Sequence, residues 1–344
     1  MLMARSDDDA VFMKELARQL SAYARPATFR SVFELVLTLS LFVGLWAAIY
    51  VGLQAGYWAA YVLAIPAAGL MLRLFIIQHD CGHGAFFSGK RANDRVGAVL
   101  GVMTLTPYAV WKKAHARHHA TSGNLARRGT GDIDTYTVAE YRSMSRIRRF
   151  AYRSYRHPAV MFGIGPAFLF LFRNRLPVGD MKGGWKPWIS AMGTNGAIVV
   201  LIVLMSLLLG VEAVFLIHFP IILLAASFGV WLFFVQHQFE ETHWSDDDDW
   251  SFHTAAIRGS SFYALPRSLH WLSGNIGYHH IHHLVSRIPF YRLPQVMKDH
   301  PVLGEMGTVT IRQSVSGIRL ALWDEERQRL VSFRTAKRLE TARS

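Results

Sequence analysis

Cysteine is almost missing from this chain: Cys81 is the only one in 344 residues, which excludes an intramolecular disulfide and any metal site built from thiolates alone. Acid is also short, with 24 Asp and Glu against 37 Lys and Arg, for a net charge of +13. A nucleic-acid footprint would set those cations on a folded soluble face with polar or aromatic partners. Here they flank apolar runs, a bias that sets membrane topology and attracts anionic headgroups. The opening MLMARSDDDAVFMKEL carries acids and no apolar h-region. It does not read as a cleavable signal peptide, so insertion is expected to fall to the first membrane helix.

Apolar residues are what the chain has in quantity, 51% of the total, gathered in long runs. Four of these read as crossings of about 30 Å of hydrocarbon: Val32 to Leu53, Tyr57 to Ile77, Asn195 to Leu209 and Val214 to Val235. Gln54-Ala-Gly56 joins the first two, and Glu212 is the only charge between the last two, which predicts two tight helical hairpins. Neither connection holds Lys or Arg, whereas Gln78 to Thr194 holds eighteen. Positive charge is retained on the cytoplasmic side, so both termini and the long middle loop are expected there. Within that loop, Val96 to Val110 and Ala159 to Phe172 are apolar but short, and Pro166 interrupts the second. Interfacial or re-entrant helices are expected, with buried core helices as the alternative. Asp246 to Asp249 reads as a solvated acidic loop. The expected architecture is all-α: an integral membrane four-helix bundle over residues 32–294 with a cytoplasmic helical cap holding a histidine-rich two-metal site. A cytoplasmic segment, 1–31, precedes it and a cytoplasmic tail, 295–344, follows.

The chemistry lies in the histidines, sixteen in all, most of them in three short boxes. In His79-Asp-Cys-Gly-His83, past the end of the second run, the spacing of four puts both rings on one face of a continuing helix, about 6 Å apart. In His115-Ala-Arg-His118-His119 the rings stand at i, i+3 and i+4, so one helical turn offers nitrogens to two metals. His279-His280-Ile-His282-His283 repeats that spacing through His279, His282 and His283. His237 ends the fourth run, on the same side of the membrane as the boxes. All nine candidate ligands are therefore expected to meet in one layer. An all-imidazole set suits zinc, copper, iron or nickel. Structural zinc needs only four ligands, usually including cysteine, so nine imply two metals of higher coordination number, with open positions for dioxygen. Asp80, Asp134, Glu240 and Glu241 are candidate acceptors for the free ring N–H groups, Asp80 and Glu240 foremost.

The boxes HDCGH, HARHH and HHIHH, in this order and with a hydrophobic hairpin between the second and third, resemble the membrane fatty acid desaturase family. The run from His282 to Pro294, HHLVSRIPFYRLP, is similar to the acyl-lipid desaturases of the delta-12 or omega-6 branch. The resemblance spans Arg73 to Pro294. It implies a di-iron centre ligated by His79, His83, His115, His118, His119, His279, His282 and His283, with His237 as an additional ligand. The QHQFE around His237 departs from the asparagine-containing pattern of the acyl-CoA branch. His280 stands where relatives usually carry an apolar residue and is left out, while His270 and Asn275 are candidates for a late ligand or water holder. Histidines 157, 218, 243, 253 and 300 read as interfacial, core or solvated side chains.

The implied reaction is the dioxygen-dependent insertion of a cis double bond into a membrane lipid acyl chain, in a bacterial inner membrane. His157-Pro158 lacks the two following glycines that mark a fused haem carrier. Electrons are thus expected from a separate donor, ferredoxin-like or a small haem protein. Phe86, Phe87, Trp111, Trp231, Phe239 and Trp271 are candidate walls of an acyl tunnel, or ordinary core rings. Arg127, Arg128 and the run from Arg142 to Arg156 form a basic surface for headgroups or an acidic donor, or serve topology alone. A hydroxylase or ketolase of the same superfamily would use similar boxes and is the nearest rival. A metal transporter is the remote one, disfavoured because the span interiors hold only His218.

Overall fold

The computed structural model describes residues 7–129 and 131–341, so the first six residues of the opening segment lie outside the described residues. The fold is mostly helical, and four helices are long and apolar enough to cross a membrane: Thr28–Gln54, Trp58–His83, Trp185–Leu209 and Val211–His237. Each overruns its hydropathy run. The second continues six residues past Ile77 through the first histidine box, and the third starts ten residues before Asn195. A helix stops where its backbone is capped, not where its side chains turn polar. Gly84 provides the stop after the first box. It sits at φ 67°, where its own N–H donates to Cys81 O and the next donates to Asp80 O, a left-handed conformation that favours glycine.

Two prolines that should break helices are absorbed by wide turns. A π turn at Val214–His218 precedes Pro220 in the fourth span, and another at Val160–Ile164 precedes Pro166. The missing proline N–H then falls where the hydrogen-bond pattern is already interrupted. The stretch after His157 lies against the fourth span, with the Phe162 ring 5.1 Å from Trp231 and 5.3 Å from Phe234. Ile164, Phe168 and Phe172, spaced by four, are left exposed on one face, the surface an interfacial helix presents to lipid.

The spans are unequal. In the second and fourth, 61% and 44% of the apolar window is buried inside the protein, against 22% and 6% in the first and third. The inner pair is therefore the pair that carries His79, His83 and His237. First and second spans are tied by a buried ion pair, Arg73 with Glu34, each about 1% exposed. Arg73 also donates to Thr38 Oγ1 and to Trp271 O, beneath the Trp271 and Phe290 rings at 4.4 and 4.9 Å.

Beyond the fourth span, short helices Phe252–Arg258, Arg267–Leu272, His279–Leu284 and Leu293–Asp299 form a cap over the bundle. The segment after 294 is folded into that cap by short strands, a local addition to a helical protein. They are β1 (Tyr136–Thr137), β2 (Phe262–Ala264), β3 (Thr308–Thr310), β4 (Leu320–Asp324) and β5 (Arg329–Ser332). β4 pairs antiparallel with β5 and parallel with β1, Tyr136 opposite Leu322, while β2 pairs parallel with β3, Tyr263 opposite Val309. Trp323 of β4 packs with Leu125, Trp244 and Leu330. The Tyr152 hydroxyl and the Arg156 guanidinium donate to the Ala321 and Leu320 carbonyls.

Candidate metal centre

The three boxes and His237 come together from four segments of chain. Within each group that follows, the candidate ligand atoms all lie within 4.8 Å of one another. His79, His83, His115, His119 and His282 make one group; His118, His237, His279 and His283 make the other. The two HxxHH boxes are shared reciprocally. His115 and His119, one turn apart on helix Tyr108–Thr121, enter the first group while His118 turns to the second. His279 and His283 enter the second while His282 turns to the first. Helix Tyr108–Thr121 reaches the second span because Gly82 faces Trp111, where an added Cβ would stand 2.9 Å from the indole. That indole lies parallel to His115, with ring centroids 4.8 Å apart.

The nitrogens fit a cation better than they fit each other. His119 Nε2 stands 3.1 Å from both His115 Nε2 and His282 Nε2, and His279 Nε2 stands 3.0 Å from His237 Nε2. One ring nitrogen makes one hydrogen bond, as donor or as acceptor, so His119 Nε2 is unable to satisfy both neighbours. The Nε2 atoms of His79, His83, His118 and His283 are buried without a hydrogen-bond partner among the described residues. With metal–nitrogen bonds of about 2.0–2.1 Å, two ligands at right angles stand about 3.0 Å apart. Burial, then the neighbouring imidazoles, hold His115, His119, His279, His282 and His283 well below the usual histidine range. These rings are neutral, the form that binds a metal.

Three of the opposite ring nitrogens have acceptors. His79 Nδ1 is 3.3 Å from Asp80 Oδ1, whose other oxygen accepts the Phe290 N–H at 2.7 Å. His118 Nδ1 pairs with Asp132, and His237 Nδ1 stands 3.0 Å from Gly259 O. Such acceptors fix ring orientation and tautomer. Sequence reading placed Asp80 among them but missed Asp132 and the Gly259 carbonyl.

The other carboxylates singled out from sequence lie elsewhere. Glu240 is exposed and pairs with Arg329 at 3.2 Å, because the helix ends at His237 and only beyond the buried Gln238 and Phe239 does the chain reach the surface. Glu241 and Asp134 are also exposed. His280 turns its Nε2 to Leu303 O at 3.0 Å, and burial pushes it down to about 4. His270 stacks on Tyr278 and accepts the Leu265 N–H, and the Asn275 amide donates to Phe290 O; neither joins a metal group. Phe233, passed over in the sequence, lies 5.2 Å from His118 and 5.1 Å from His237. Phe86 stacks on Phe290, Trp231 meets Phe162 and Trp271 lies over Arg73, so these rings pack within the core. In the basic run, Arg142, Arg149, Arg153 and Arg156 bond to oxygens of the chain itself, at Ala336, Met144, Tyr141 and Gln238.

Residues 56–314 match the model of a family described as fatty acid desaturase. The chain is similar to a fatty acid desaturase of Bacillus subtilis strain 168, 44% identical over 327 residues, covering 95% of this chain and 92% of that one. It is 30% identical to an endoplasmic reticulum omega-3 fatty acid desaturase of Vigna radiata over 70% of this chain and 64% of the relative. To an sn-1 acyl-lipid omega-3 desaturase (ferredoxin) of Synechocystis it is 28% identical, over 69% and 66%.

Proposed function

The chain belongs to the fatty acid desaturase family, and from that premise we propose that it introduces a cis double bond into the acyl chain of a membrane glycerolipid at a di-iron centre. The observation that carries this reading is the division of nine imidazoles into two adjoining groups. One iron would be held by His79, His83, His115, His119 and His282, the other by His118, His237, His279 and His283. When bound, the iron pair supplies dioxygen activation with electrons from the donor. The protein's own part is positioning. Asp80, Asp132 and the Gly259 carbonyl hold three rings in register, and Trp111 and Phe233 close an apolar wall on the imidazoles. The donor is a separate ferredoxin-like or small haem protein, the former supported by the ferredoxin in the name of the Synechocystis relative. The acyl-lipid wording of that name supports a glycerolipid substrate. The run after the third box resembles the delta-12 or omega-6 branch, while the names of the Vigna radiata and Synechocystis relatives give an omega-3 position. In this reading both termini and the cap face the cytoplasm of a bacterial inner membrane; the distribution of cations supports the cytoplasmic side.

Expression in a bacterium without polyunsaturated lipids, followed by mass spectrometry of fatty-acid methyl esters, tests this. A new cis-diunsaturated species is expected, its double bond located in the same spectra, and it should vanish in His118→Ala and His282→Ala. A hydroxylated lipid in place of a new alkene would transfer the chain to the hydroxylases.

A further inference from the structure

Outside the metal centre an open groove of about 790 Å³ lies where helices Lys90–Met103 and Tyr108–Thr121 meet the start of the third span. Its rim carries Lys90, Lys112 and Lys113. Asp94 also lines it; Lys112 and Lys113 hold Asp94 and Asp180, each at 2.8 Å, while Lys90 acts on Asp94 through its charge without an ion pair at contact distance among the described residues. The floor is made of small exposed residues, Ala98, Ala109 and Gly193 among them. Trp185 and Trp188 open the third span one turn before the groove, and tryptophans at a span end mark headgroup depth.

We propose that this groove binds one anionic glycerophospholipid, its phosphate on the lysine rim and an acyl chain along the small-residue floor. Cations at headgroup depth select the anionic lipid, and the apolar floor offers an acyl chain a surface that a free phosphate would leave uncovered. The volume lies in the range of small-molecule sites, about 300–1,000 Å³. The groove runs along the helix that carries His115, His118 and His119, so a lipid seated there braces that helix against the third span. The reading does not depend on desaturation, and its test uses no turnover.

Native mass spectrometry of the purified chain in mild detergent, with phosphatidylglycerol and phosphatidylcholine of the same acyl composition at equal concentration, reads the site directly. Wild type is expected to retain one phosphatidylglycerol in preference to phosphatidylcholine. An added Cβ at Gly193 meets no atom within 4 Å, so Gly193→Leu fills the groove without disturbing its walls, and the retained lipid should be lost. Gly44 of the first span is equally open, and Gly44→Leu should retain it. Lys90→Glu, on an exposed side chain, should cut the preference for phosphatidylglycerol by at least about five-fold. Equal retention of both lipids by wild type, or full retention by Gly193→Leu, overturns the proposal.

Discussion

At the scale of single residues, Asp132 and Glu240 separate what touches an imidazole from what only neighbours one in sequence. Asp132 is fourteen residues from His118 and pairs with its Nδ1. Glu240 is three residues from His237 and faces solvent beside Arg329. Losing the acceptor on a ligating histidine typically weakens metal binding about 10- to 100-fold. Asp132→Asn is therefore expected to lower iron affinity by that factor in a chelator titration, and Glu240→Gln to leave it within about two-fold. The reverse order would mean that His118 is oriented by something else. Asp132 was not legible beforehand. It lies in GDIDT, a stretch without regular structure before β1, where no periodicity ranks it above Asp134.

At the scale of elements, the bundle holds charge where a membrane span should not. Glu34 and Arg73 face each other across the first two spans, and Glu34 also pairs with Arg30 at 2.6 Å. Charges in a low-dielectric interior are tolerated when paired, and breaking such a pair costs about 3–5 kcal/mol. Arg73→Met leaves Glu34 its second partner, whereas Glu34→Gln leaves Arg73 with neutral acceptors only. Thermal unfolding in detergent should show Glu34→Gln as the more damaging change, and the double variant as less damaging than the two singles summed. Additive losses would show that the two side chains do not act as a pair. The spans themselves were readable from hydropathy to within a turn at most ends. The early start at Trp185 was not, because Lys186 and Pro187 are tolerated in a first helical turn, where several backbone N–H groups lack partners in any case.

At the scale of the whole molecule, residues 308–332 lock the cap. They supply β3, β4 and β5, the Leu320 carbonyl that accepts from buried Arg156 and Trp323, clustered with Leu125 and Trp244. Arg156 in turn donates to Gln238, next to His237. A chain ending at Gly307 should lose these supports together, lowering both its unfolding temperature and its iron per chain. Full iron content in the shortened protein would reduce the segment to a dispensable tail. From the sequence it read as a tail because its strands are three to five residues long and pair with partners up to about 190 positions away.

By itself the sequence determined a membrane protein and the faces its histidines share, because hydropathy and spacings of three and four act within one helix. Which imidazole joins which group, and which carboxylate stands behind it, only the tertiary structure decided. Those pairings join separate segments, and they depend on where packed helices end and how closely they approach, which no local pattern records.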